Sequence, residues 1–181
     1  MFDLQGLNIY LIGMMGAGKS TIGKLLSERL EYRFLDTDTT IEQLTHQSIT
    51  EIFQTAGEIE FRQLETQVLT EVSAYTRVVV ATGGGIAIKL ENWNYLQQGL
   101  VVWLDASIDT LVERVKEDRS RPILNTPRDL HSKLEEILTA RRNRYAAADL
   151  HIPIDSPQTS IDEIVEQIIK LIPTVLRAQV Q

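Results

Sequence analysis

Eight residues, Gly13-Met14-Met15-Gly16-Ala17-Gly18-Lys19-Ser20, follow the spacing G-x-x-x-x-G-K-[ST], and each fixed position has its own physical task. Glycine at 13 and 18 lets the backbone curl so that successive N–H groups converge on a phosphate, and the start of the following helix adds its positive end. Lys19 then bridges the outer two phosphates of a nucleoside triphosphate, and the Ser20 hydroxyl holds a magnesium ion. A glycine-rich turn with a chance lysine is the competing reading, and placement between a buried strand and a helix counts against it.

Such a loop is common to proteins that hydrolyse, switch or transfer, so the neighbouring residues decide. The usual second metal anchor is an aspartate closing a buried strand, yet Val78 to Ala81 closes with Thr82 and glycines. Asp36 and Asp38, at the end of the second predicted strand, are the replacement candidates, because strand ends in doubly wound sheets converge on the ligand crevice. Residues at i and i+2 of an extended segment face one side, so both carboxylates can reach one site. The alternative is an aspartate cap on the following helix, a role open to Asp38. No N-K-x-D segment is present to read guanine, which argues against a switch GTPase.

The elements that must position these groups alternate. Asn8 to Ile12 reads as a buried strand, and a helix starts at Lys19 with Ile22, Leu25, Leu26 and Leu30 on one face. Tyr32 to Leu35 is a second strand. Ser48-Ile49-Thr50-Glu51 is a capping box, and Gly57 suits the left-handed end of the helix it opens. A helix from about 58 to 73 precedes the strand 77 to 81, whose β-branched run lacks polar alternation, as expected of a strand covered on both faces. Leu90 to Gln97 is helical, Leu100 to Leu104 is a strand, and Ile108 to Lys116 is the returning helix. The charged stretch from 117 to 127, with two prolines and no apolar period, is expected to be a mobile lid. Leu130 to Ala148 is helical, Leu150 to Ile154 is a last strand interrupted by Pro153, and Ser160 caps a final amphipathic helix. The alternation predicts a three-layer α/β/α fold around a parallel sheet of about five strands.

With 181 residues the chain fits a single domain. Its 43% hydrophobic and 24% charged content excludes disorder, and a net charge of −7 argues against a nucleic-acid partner. The absence of cysteine rules out disulfides and thiolate metal sites or nucleophiles. His46, His131 and His151 are scattered and read as surface or packing residues. With no signal-peptide pattern or membrane-length apolar run, a cytoplasmic or stromal location and no membrane partner are expected.

Five separated motifs resemble the shikimate kinase family, in the nucleoside monophosphate kinase-like branch of P-loop folds, over nearly the whole chain. They are Gly13 to Thr21, Asp36-Thr37-Asp38, Gly57-Glu58 with Glu60-Phe61-Arg62, Thr82-Gly83-Gly84-Gly85, and Arg121-Pro122-Ile123-Leu124. The resemblance implies a monomeric enzyme that uses MgATP to phosphorylate the 3-hydroxyl of shikimate. Gly13, Gly16, Ala17, Gly18, Lys19, Ser20 and Thr21 would bind nucleotide, with Arg114 stacking on adenine and Arg121 of the lid, with Arg119 as competitor, reaching the transferring phosphate. Asp36 would join Ser20 at Mg²⁺. Asp38 would bind the acceptor hydroxyls and act as base or positioner, alongside Lys19 and Arg121 as catalytic groups. The region from about 38 to 73 would hold substrate. There Arg62 clamps the carboxylate, Glu65 holds that arginine, Phe53 and Phe61 form apolar walls, and Gly83, Gly84 and Gly85 bring backbone N–H groups to the substrate. Arg141 would be the second clamp, although Asn143 and Arg144 replace the family's usual Pro-Leu before Tyr145, leaving Arg141, Arg142 and Arg144 in competition. The rivals are a gluconate-type small-metabolite kinase and a nucleotide-binding module without turnover.

Overall fold

The computed structural model describes residues 4, 6–116 and 129–178. Its first strand, β1 (Ile9–Ile12), is buried at every position and leads through the glycine-rich turn into α1 (Lys19–Leu30). Next come β2 (Arg33–Asp36), α2 (Thr37–Thr45), α3 (Ile49–Thr55) and α4 (Gly57–Ser73). Strand β3 (Val78–Ala81) precedes a 3₁₀ turn at Ile86–Ile88, α5 (Leu90–Leu96) and β4 (Leu100–Ala106). The chain then forms α6 (Ile108–Val115), α7 (Leu130–Tyr145), β5 (Leu150–Ile154) and α8 (Ile161–Ala178).

The five strands lie in the order β2-β3-β1-β4-β5, and every neighbouring pair is parallel. Helices on both faces complete the three expected layers. This explains the run Val78-Val79-Val80, which shows no alternation because both faces of β3 are covered. In the sheet β1 lies between β3 on one side and β4 on the other. Their carboxyl ends therefore open a crevice directly above Gly13.

The last strand runs without the expected interruption. Pro153 pairs in register with Asp105, and its side chain lies on the exposed side of an edge strand. An edge needs no N–H donor on its open side, so proline is accommodated there. The Ser48–Glu51 capping box forms with both reciprocal hydrogen bonds, and Gly57 takes the left-handed conformation at φ +83° where α3 gives way to α4. The proposed lid, with Arg119 and Arg121, lies outside the described residues. Among the described residues no helix is long and apolar enough to cross a membrane.

Candidate active site

The phosphate loop owes its shape to glycine at two points. Gly13 has φ +139°, and a Cβ there would come within 2.5 Å of the Leu104 carbonyl oxygen on the adjacent strand. Gly18 sits at φ +91° as the residue before α1 and offers no side-chain cap. The first N–H groups of α1 are thus left for a ligand. Lys19 is largely buried and folds back over the loop, its Nζ donating to the carbonyls of Gly13 at 3.0 Å and Met14 at 2.8 Å.

From α6, Arg114 Nη1 donates to the carbonyls of Gly16 and Ala17 at 3.4 and 3.3 Å, and its partial burial lowers its pKa. It lines a groove with Gly18, Thr21, Pro157 and Ile161. All the described residues expected at the nucleotide are therefore gathered around one loop and groove.

Ser20 Oγ donates to Asp36 Oδ2 at 2.5 Å, which brings together the two groups expected at a metal ion. The other oxygen of Asp36 accepts the Thr39 N–H at 3.1 Å and caps α2. The capping role left open for Asp38 as the alternative belongs to Asp36, because only the residue preceding the helix has the extended φ and ψ that let its side chain turn back onto the first turn. Asp38 lies inside that first turn and points into the neighbouring pocket. Hydroxyl and carboxylate oxygens suit Mg²⁺. Among the described residues no three His, Cys, Asp or Glu side chains cluster to hold a metal by themselves. The donor set fits an ion that takes most of its remaining ligands from nucleotide phosphates and water.

Across the loop lies a second pocket, lined by Met15, Asp38, Ile49, Phe53, Phe61, Arg62, Glu65, Gly84, Gly85 and Arg141. Phe53 and Phe61 form one wall, their ring centroids 4.7 Å apart. Arg62 pairs with Glu65 at 2.5 Å one turn along α4 and with Glu58 at 2.9 Å one turn back. Burial opposes its charge, but Glu65 and Glu58 outweigh burial and raise the guanidinium pKa. Glu65 is 1% exposed. Burial raises its pKa, Arg62 pulls the other way, and the nearby Asp38 carboxylate adds to the rise.

Of the arginines competing for the second clamp, Arg141 faces this pocket, is 9% exposed and donates to the Gly84 carbonyl at 3.0 Å. Arg142 is held outward by Asp105 at 3.3 Å and lies over the Trp103 ring. Arg144 opens onto a separate groove beside Leu90 and Asn94. Helical geometry sends the three in different directions, since adjacent residues on a helix point about 100° apart.

Of the three glycines expected to bring N–H groups to the substrate, Gly84 and Gly85 line the pocket and Gly83 does not. Gly83 N–H is taken by Thr37 Oγ1 at 2.8 Å, and Gly83 stands behind the pocket rather than on its wall. A Cβ on Gly83 would approach Glu65 Oε1 at 2.5 Å and Asp38 Oδ1 at 2.6 Å, and one on Gly85 would run into the Arg62 guanidinium. These glycines make room for the charged side chains. Thr37 and Glu58 were missed as partners, although the four-residue spacing from Glu58 to Arg62 signals an ion pair on a helix. Met15 and Ile49 carry no chemical signal of their own.

A parallel sheet with a strand–loop–helix phosphate cradle, facing a pocket that carries two carboxylates and two guanidinium groups, defines a P-loop kinase of nucleoside monophosphate kinase-like fold. The model of the family described as shikimate kinase matches residues 15–173. A shikimate kinase of Rippkaea orientalis is 54% identical over 178 residues, covering 98% of this chain and 94% of that protein. Among solved structures, a shikimate kinase from Acinetobacter baumannii in complex with shikimate superposes with a TM-score of 0.88 at 36% identity, covering 94% of this chain and 95% of that one. A gluconokinase from Sinorhizobium meliloti reaches 0.59 at 18% identity, covering 96% of this chain and 93% of that one, a likeness of fold alone. The chain belongs to the shikimate kinase family.

Proposed function

We infer that the chain transfers the γ-phosphoryl group of MgATP to the 3-hydroxyl of shikimate, giving ADP and shikimate 3-phosphate. The observation that carries the residue assignments is the convergence of Arg62, Arg141 and Asp38 on one pocket beside the phosphate loop. Two guanidinium groups offer the paired, planar donors that a carboxylate accepts, so the acid end of the acceptor is held between α4 and α7. That orientation leaves its hydroxyls toward Asp38.

Asp38 then positions the attacking hydroxyl and takes its proton as the new O–P bond forms and the bond from the γ-phosphorus to the β,γ-bridging oxygen breaks. Lys19 moves from the Gly13 and Met14 carbonyls to the β- and γ-phosphates, where its charge offsets that of the transition state. Ser20 and Asp36 would hold Mg²⁺, which supplies charge neutralisation at the phosphate oxygens when bound. Arg114 sits where it closes one side of the nucleotide groove. The chemistry demands little of the protein beyond alignment and charge.

ADP release is measured with and without shikimate, with gluconate as the control acceptor, for the unmodified chain and for Asp38→Asn. Release is expected only with shikimate, and Asp38→Asn lowers kcat by about 10²- to 10⁴-fold. Acceptor-independent release, preference for gluconate, or a fully active Asp38→Asn would each overturn the reading.

A further inference from the structure

Tyr145 ends α7 four residues after Arg141, and the two side chains leave the helix on the same face. Both reach the same atom. The Tyr145 hydroxyl donates to the Gly84 carbonyl oxygen at 2.7 Å, and Arg141 Nη1 donates to that oxygen at 3.0 Å. A carbonyl oxygen has two lone pairs, so this acceptor is saturated by the pair.

Gly84 also touches the phosphate loop. A Cβ there would lie 3.4 Å from the Met15 amide nitrogen and 3.7 Å from the Gly13 carbonyl oxygen, so the residue is packed against the phosphate loop. The Tyr145 hydroxyl also lies 3.9 Å from Met14 Sδ, within the same loop. Its ring, 1% exposed, packs against Trp103 with centroids 5.8 Å apart. The Gly84 peptide is thus a shared wall, with the phosphate loop on one side and the acid pocket on the other. Tyr145 is the uncharged buried group that joins both to α7.

We propose that Tyr145 is a positioning residue for the acid clamp, its hydroxyl fixing the Gly84 carbonyl so that Arg141 is held at the height the acceptor carboxylate requires. Arg141 must share its donors between Gly84 and the incoming carboxylate. With Tyr145 occupying one lone pair of Gly84 and itself interacting with Arg141, the guanidinium is anchored at this carbonyl while it lines the pocket. Burial raises the Tyr145 pKa, against an opposing influence from Arg141, and so keeps the hydroxyl a donor across the neutral range. The idea rests on the reading of this pocket as the acid site.

The test is a double-substitution cycle read in steady-state kinetics, with Tyr145→Phe, Arg141→Lys and the pair together. Tyr145→Phe keeps the ring and its packing. It is expected to raise the KM for shikimate by about tenfold while kcat and the KM for ATP stay within about threefold. In the Arg141→Lys background the same change should have little further effect, because a residue acting through Arg141 loses its influence once the guanidinium is gone. An unchanged KM for shikimate, equal rises in both KM values, or fully additive effects would each overturn the proposal. Arg141→Lys by itself separates the two levels. If that substitution leaves the KM for shikimate unchanged, the acid-site reading fails together with the proposal. If it raises that KM and Tyr145→Phe does not, only the proposal fails. Should Tyr145→Phe not fold, 4-fluorophenylalanine at position 145 keeps nearly the shape of tyrosine but has no hydroxyl donor. A shift in the KM for shikimate alone then supports the proposal, and no shift overturns it.

Discussion

Between Gly13 and Ser20 the proposed phosphate half of the site is made mostly of backbone, while the proposed acid half is made of side chains from α2, α4 and α7 held in place by one another. In the first, the loop geometry and the open start of α1 provide the donors, and Lys19 rests on loop carbonyls in reach of where phosphates would lie. In the second, Arg62 is set by Glu58 and Glu65, Arg141 by Gly84, and the glycines of the turn stand aside for these groups. A backbone cradle recognises any nucleoside triphosphate and depends on few side-chain identities. A cradle of side chains can be selective for one acceptor, and it is more easily disturbed by a single change.

The comparison is broken most sharply by Lys19→Met, the one charged side chain within the stretch from Gly13 to Ser20. Loss of about 10²- to 10³-fold in kcat is expected, with little change in the KM for shikimate, as measured by coupled ADP release. Arg62→Lys should do the reverse. Lysine cannot reproduce the paired donors or satisfy both glutamates, so the KM for shikimate rises by about 10- to 100-fold while the KM for ATP holds.

A pH profile sharpens the contrast further. Because the pKa of Glu65 is raised by burial, its protonation in the folded chain begins at higher pH than for an ordinary glutamate. The folded state then gains stability relative to the unfolded one as pH falls through that raised value, a gain complete below the unfolded value of about 4.3 and lost as pH rises through the folded one. Protonation also removes the charge that holds Arg62. The KM for shikimate is therefore expected to climb on the acidic side before the KM for ATP does, and Glu65→Gln should raise it at all pH values and abolish that climb.

The smallest effect belongs to the frame. Ser48→Ala removes the capping box of α3, which carries Ile49 and Phe53 to the pocket wall. A loss of about 1 kcal/mol and a fall in Tm of about 2–4 °C are expected, with the KM for ATP unchanged.

The phosphate half was legible because its chemistry is local. The stretch from Gly13 to Ser20 contains its own donors, and strand and helix on either side follow from hydrophobic period. The central strands were legible for the same reason, since the buried runs of β1, β3 and β4 declare themselves within a few residues. The acid half was legible only in its parts. Arg62 and Glu65 are neighbours on one helix, and their pairing can be expected from a spacing of three. Which of Arg141, Arg142 and Arg144 faces the pocket depends on how α7 is rotated against the 3₁₀ turn, and the capping role of Asp36 depends on where α2 begins.

The amino-acid sequence by itself determined the donor, the order of strands and helices, and the residue types available to hold an acid, because each of these depends on contacts within a few positions along the chain. Tertiary structure alone decided which of those residues meet. Gly84 lies 57 residues from Arg141 and 61 from Tyr145, and Gly83 lies 46 from Thr37. Contacts at such separations arise from the parallel order β2-β3-β1-β4-β5, which brings the ends of β1, β2 and β3 to one crevice beside α7. No local pattern encodes that meeting, since it is the packing of the whole sheet and its helices that sets the distances.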